Sequence, residues 1–180
     1  MTTADADATT QRIRSEALRL FAERGYGNTT IEHISTGAGV GVATIYRRWS
    51  DKAAIANELY REGIDAMLSI LAERHADDHR SEFIAIWRDL WGWASTNRDL
   101  SLFISASAGA PWLTKENVAR KAEVSTGEIE TYARLGIDAA PDFAAALIGG
   151  TMASVLAAEP DIEADEVAER LWRALTLRSD

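Results

Sequence analysis

TTIEHISTGAGVGVATIYRRWSDKAA, residues 29–54, is the stretch that decides the fold. Thr29 and Glu32 have capping-box spacing, with Thr30 as a neighbouring cap, so a helix is predicted to start here. Ile31 and Ile34 give that helix an inward edge. Gly37 and Gly39 flank Ala38 and end it, because glycine tolerates the positive φ that a helix C-terminus often needs. A second short helix is predicted from about Gly41 to Trp49. Val42, Ile45 and Trp49, at i, i+3 and i+7, face the core and leave Ala43, Thr44, Arg47 and part of Tyr46 outward. Two short helices joined by a glycine turn place the second where it fits a DNA major groove.

Working outward, no segment shows sustained period-two alternation, and the chain reads as all-α with about nine helices. Residues 1–10 are small and polar and are expected to be a disordered tail. A helix from Gln11 to Arg24 carries Ile13, Ala17, Leu20 and Phe21 on one stripe, and Gly25 stops it. With the helix pair it makes a three-helix DNA-binding domain over residues 11–68. Ser50 or Asp51 caps a long fourth helix reaching toward Arg74. Residues 69–180 form a helical ligand-binding and dimerisation domain. There, His75 to Arg80 reads as a loop, and helices follow from Ser81, Asp99, Thr114, Pro141 and Ala164. The seventh is expected to face inward with Val118, Ala122, Ser125, Ile129 and Tyr132.

The 180 residues carry a net charge of −9, which argues against nucleic acid until its distribution is read. Between Gln11 and Lys52 there are seven cations against four anions; elsewhere there are twelve against twenty-four. Phosphate attraction is local, since charges beyond roughly 8 Å are largely screened at physiological salt. A cationic head on an acidic body is therefore compatible with groove binding. With no cysteine in the chain, disulfides, thiolate metal sites and cysteine nucleophiles are excluded. No apolar run of membrane-spanning length and no charged-then-apolar leader is seen, so a cytoplasmic protein without membrane contact is expected.

The stretches LRLFAERGYGNTT (Leu18 to Thr30) and GAGVGVATIYRRW (Gly37 to Trp49), followed by Lys52, resemble the TetR family of bacterial transcriptional regulators. The resemblance covers about the first third of the chain. It implies a homodimer that binds a double-stranded DNA operator and lets go when a small molecule fills a pocket in the larger domain. The chain departs from the family pattern at Gly41 and Val42, where a serine–lysine pair is common. It also departs at Glu32 and at Ser50–Asp51.

Candidate DNA-facing residues are Thr30, Val42, Ala43, Thr44, Tyr46, Arg47, Arg48 and Lys52. Arginine's planar fork suits a guanine edge or a phosphate. Thr44, Val42 and Ala43 suit thymine methyls. Thr30 and Lys52 stand at helix starts, where a phosphate oxygen is favoured. Trp49 reads as a core plug that sets the angle of the second helix.

Four of the six tryptophans fall between Ser81 and Thr114. Met67, Phe83, Trp87, Trp91, Phe103, Trp112 and Met152 are candidates for an aromatic-walled effector pocket; ordinary core packing is the alternative. Leu147, Gly150, Ser154, Val167, Leu171 and Leu175 on the last two helices are candidates for a dimer seam, against packing within one chain. His75 and His79 have a spacing that could hold a metal on a helix, but they fall in the predicted loop, and no metal or cofactor is expected. An enzyme with a Trp-rich cavity and a helical adaptor are the competing readings. Against the first stands the lack of a nucleophile–base pair or phosphate loop. Against the second stand the charge split and outward Thr44, Arg47 and Arg48.

Overall fold

The computed structural model describes residues 3–73, 77–137, 140–158 and 162–176. Among these the chain is all-helical, with nine helices and no strand. They are α1 (Thr3–Arg24), α2 (Ile31–Ala38), α3 (Val42–Tyr46), α4 (Lys52–Ala72), α5 (His79–Thr96), α6 (Arg98–Ala106), α7 (Lys115–Arg134), α8 (Pro141–Ala158) and α9 (Ala164–Thr176). They form two compact units, Met1–Gly63 with Asp99–Val118, and Ile64–Arg98 with Ala119–Asp180.

In the first unit, α1 buries Ile13, Ala17, Leu20 and Phe21, the stripe expected from the sequence. The helix starts at Thr3, eight residues before Gln11, so residues 3–10 are helical rather than a disordered tail. The reason is local. Ala4, Ala6 and Ala8 are strong helix formers, and the Thr9 and Thr10 hydroxyls are satisfied within the helix, donating to the Asp5 and Ala6 carbonyls at 2.8 and 2.9 Å. Phe21 stacks on Phe103 at 5.3 Å, Phe103 on Trp112 at 5.8 Å, and Trp112 on Tyr26 at 4.4 Å. That aromatic column draws α6 and the start of α7 into the core of this unit.

In the second unit, α5 packs chiefly against α9. Phe83, Ile86 and Trp87 meet Val167, Ala168, Leu171 and Leu175 in one buried cluster, joined by Tyr132 of α7, Leu135 just after it and Ala144 of α8. Helix α5 begins at His79, earlier than the expected Ser81, because the Asp78 carboxylate accepts the Ser81 N–H at 2.9 Å and caps it. On α7 Tyr132 is buried as expected, but the rest of the expected inward face is out of phase. Val118 and Ile129 are 55% and 44% exposed, while Asn117, Val124, Thr131, Tyr132 and Leu135 are buried. Large apolar side chains are sparse on this helix, so its orientation follows Val124 and Tyr132, with amide and hydroxyl groups filling the rest of the buried face.

His75, Arg74, Pro160, Leu177 and Arg178, used in the sequence reading, lie outside the described residues. Among the described residues no helix is long and apolar enough to cross a membrane. No group of three or more metal-ligating side chains gathers among them either.

Candidate nucleic-acid interface

The helix pair is built by its caps. Thr30, not Thr29, is the N-cap of α2: its hydroxyl accepts the His33 N–H at 3.2 Å, and His33 Nδ1 accepts the Thr30 N–H at 3.3 Å. His33 thus takes the place expected of Glu32. Thr29 is buried instead, its hydroxyl donating to the Gly25 carbonyl at 3.0 Å. Gly39 closes α2 at φ 64°, a left-handed conformation that suits glycine. Gly37 lies inside the helix, with the Glu16 side chain against its Cα.

Helix α3 spans five residues, shorter than the expected Gly41–Trp49. The tightening comes from Trp49, which is 4% exposed and whose indole N–H donates to Glu58 Oε2 at 2.8 Å. Pulling that ring into the core turns the backbone at Arg47 and Arg48, where the Arg48 N–H bonds to the Ile45 carbonyl at 3.0 Å. Ile45 is fully buried, as its spacing predicts.

The outer face of α3 then carries exposed Ala43 and Tyr46 and half-buried Val42 and Thr44, with exposed Arg47 and Arg48 immediately after. Arg47 donates to Thr44 Oγ1 at 3.1 Å, and the Arg48 guanidinium lies 5.4 Å from the Trp49 ring centroid. Neither arginine has an ion pair among the described residues. Arg14 and Arg19 do: Arg14 pairs with Glu58 and Glu62, and Arg19 with Glu16 and Glu23. Positive charge available to phosphates in this segment thus comes from Arg47 and Arg48 after α3 and from exposed Arg12 and Arg24 on α1. Tyr46 is 52% exposed, its phenol open to solvent.

Lys52, expected at a phosphate oxygen, makes contacts within the unit. Its Nζ donates to the carbonyls of Tyr26 and Thr29, both at 2.6 Å, and the side chain is half-buried. The loop before α2 supplies these acceptors, so the ammonium braces α4 against that loop. The first turns of α1, missed in the sequence because that segment was expected to be disordered, flank α3. A groove of about 180 Å³ runs between them, with Thr9 and Thr10 on one wall and Thr44, Arg47 and Arg48 on the other.

The candidate effector residues separate into two groups. Phe83 and Trp87 are buried in the second unit, where Trp91 and Met152 pack on the same cluster. Met67 is half-buried in that unit. Phe103 and Trp112 belong to the aromatic column of the first unit. The candidate dimer residues separate as well. Val167, Leu171 and Leu175 are about 95% buried within this one chain because α5 covers that face of α9. They are spent on the intramolecular core and are not open for a seam. Gly150 and Ser154 are exposed on α8 and, with half-buried Leu147, line a shallow groove.

A capped helix, a left-handed glycine turn and a short helix braced by Ile45 and Trp49, with two arginines at its end, define a helix–turn–helix. The sequence signature of the bacterial regulatory proteins, tetR family, matches residues 13–59. An HTH-type transcriptional regulator of Staphylococcus aureus (strain USA300) is 29% identical over 79 residues. That match spans 44% of this chain and 42% of the relative, less than half the relative's length. Two solved structures share the fold across nearly the whole chain. A TetR-family transcriptional regulator from Bordetella parapertussis 12822 has TM-score 0.77 at 18% identity, covering 99% of this chain and 100% of that one. A bacterial regulatory protein in the tetR family from Rhodococcus RHA1 has TM-score 0.75 at 20% identity, covering 93% and 95%. Residues 13–59 thus carry the tetR-family signature, and beyond them the likeness is one of fold.

Proposed function

We propose that this chain is a DNA-binding transcriptional regulator that docks as a homodimer on a palindromic operator and acts as a repressor relieved by a small apolar effector. The observation that carries the reading is the outer face of α3. Thr44 and Arg47 are joined by a 3.1 Å hydrogen bond, and both guanidiniums lack ion-pair partners among the described residues. Such a face offers arginine forks and a methyl-bearing hydroxyl to base edges, with Tyr46 and Thr30 positioned for phosphates.

Symmetry supplies the palindrome. A two-fold pair presents two copies of α3 to half-sites about 34–36 Å apart or a multiple of that. With Val167, Leu171 and Leu175 committed to the core, the exposed face of α8 around Phe143, Ala146, Gly150 and Ser154 is the surface we assign to the pair. Helix α4 offers the route for release: residues 52–63 belong to the first unit and 64–72 to the second. A ligand preferring one setting of α4 would bias a two-state equilibrium of DNA binding.

The test is selection of palindromic duplexes from random DNA, followed by titration at several salt concentrations. Nanomolar, salt-sensitive binding with a two-fold symmetric consensus is expected. A chain that binds no selected duplex better than random DNA overturns the reading. Gly150→Arg should give monomers by sedimentation and weaken operator binding together.

A further inference from the structure

The second unit holds a small cavity of about 30 Å³, walled by Phe83, Ile86, Leu90 and Ile148 and by Trp87. Glu128, Thr131 and Tyr132 of α7 supply its polar edge. A hole of that size takes one or two water molecules as it stands. It does not stand alone. Leu71 and Thr131 also line an adjoining open groove of about 400 Å³, so the pair forms the boundary between a wide mouth and a narrow, aromatic inner end.

Trp87 is 2% exposed, and its Nε1–H is the buried side-chain polar atom without a hydrogen-bond partner among the described residues. A buried donor left unmet is costly, so an occupant able to accept from it gains what the empty state lacks. The surrounding charge narrows what that occupant can be. Glu73 and Glu130 stand in the groove, and its one arginine, Arg134, is tied to Glu82. Glu128, further in, has no ion pair among the described residues, and burial pushes its carboxyl above the ordinary range. An anionic head would meet these three carboxylates, offset only in part by the Lys121 charge that acts on Glu128. A protonated amine would bring only donors to a Trp87 N–H that needs an acceptor.

We infer that this site takes an uncharged, elongated apolar molecule bearing one hydrogen-bond-acceptor oxygen, such as a ketone, which accepts from Trp87 Nε1 while its chain lies past Leu71 in the groove. The inference rests on the reading of the second unit as an effector domain and names the chemistry of that effector. Leu71 is on α4, so an occupant that displaces it acts directly on the helix common to both units.

The probes are three ten-carbon chains, 2-decanone, decanoate and decylammonium, titrated calorimetrically into the full chain without DNA at neutral pH. The ketone is expected to bind at least tenfold more tightly than either ion. Trp87→Phe, which keeps an aromatic ring but removes the donor, should weaken the ketone about three- to tenfold, the range of a single neutral hydrogen bond. Glu128→Gln, which stays neutral and polar, should leave ketone affinity within about twofold. Binding that favours either ion, a Trp87→Phe chain that binds the ketone like wild type while keeping its melting temperature, or no binding by any probe overturns the inference. If Trp87→Phe does not fold, Trp87→His, which retains a ring N–H, replaces it and must keep more ketone affinity than Trp87→Leu. Operator titration with and without 2-decanone separates the two readings: ketone that binds but leaves DNA affinity unchanged sinks the effector role and spares the site.

Discussion

Lys52 is joined to Tyr26 twice: its Nζ donates to the Tyr26 carbonyl at 2.6 Å and lies 4.0 Å from the centroid of the same residue's ring. A third contact, to the Thr29 carbonyl at 2.6 Å, fixes the ammonium between the loop and α4. Charge-assisted bonds to backbone oxygens and a cation over an aromatic face both gain strength in partly buried surroundings. Lys52 is thus a strut that sets the angle of α2 and α3 relative to the first turn of α4.

Replacing it tests strut against phosphate ligand. Lys52→Met is expected to lose about 1.5–3 kcal/mol of stability, the range for hydrogen bonds to charged groups. It should also weaken all operators through mispositioning. The slope of log K against log salt should stay as in wild type. A slope flattened by about one unit would show that the ammonium releases a counterion from DNA, and would restore the phosphate role.

Arg47 and Thr44 are expected to read sequence as one unit, since the guanidinium already donates to the Thr44 hydroxyl at 3.1 Å. Arg47→Ala should cost about 1–3 kcal/mol at the operator and relax preference at one base pair. Thr44→Val keeps the methyl and removes the acceptor, so the double variant should lose less than the sum of the singles. Fluorescence anisotropy against the operator and its single-base variants checks both. Additive losses would separate the two side chains.

The helix–turn–helix was legible because its signals are local: a threonine cap, a glycine at positive φ, and Ile45 and Trp49 one turn apart. What the sequence concealed is who covers an apolar face. Val167, Leu171 and Leu175 supply apolar area on the last helix, but apolar area does not say whether its cover comes from the same chain or a second copy. Here α5 supplies it. Phe103 and Trp112 were grouped with Phe83 and Trp87 by nearness in sequence; stacking on Phe21 and Tyr26 takes them into the other unit. The acceptors of Lys52 were hidden for a similar reason, since they are backbone carbonyls more than twenty residues away. On α7, too few large side chains were present to fix the phase.

Asn57 is a buried hub whose loss should be felt at Trp112. Its Oδ1 accepts from the Thr114 N–H at 2.9 Å and from Asn117 Nδ2 at 2.8 Å, while its Nδ2 donates to the Trp112 carbonyl at 2.9 Å. Asn57→Ala strands the Thr114 N–H and the Trp112 carbonyl and leaves Nδ2 of Asn117, a residue 2% exposed, with its bond to the residue 57 backbone carbonyl alone. A loss of about 3 kcal/mol or more is expected in urea denaturation. Asn117→Ala strands a smaller set from the same network, so the double variant should fall short of the summed losses. Full additivity would mean that the two amides do not work together.

Glu128 gives a pH test with a definite sign. Burial raises its carboxyl pKa above the usual 4.5, with Lys121 opposing, and the nearby Tyr132 phenol is raised as well, by burial first and by Glu128 second. A carboxyl whose folded pKa exceeds its unfolded value binds protons more readily in the folded chain, so its burial is tolerated best at acid pH. Its stability contribution is fully present below the unfolded pKa and is lost as pH rises through the folded one. Glu128→Gln, which cannot ionise, should therefore melt higher than wild type at neutral pH and at the same temperature near pH 4, with the gap opening in between. Thermal unfolding of both chains across that range is the measurement. Lys121→Ala should widen the gap at neutral pH, since it removes the charge that favours the ionised form. A constant difference at every pH would mean that the substitution acts through packing and that the carboxyl is ordinarily solvated.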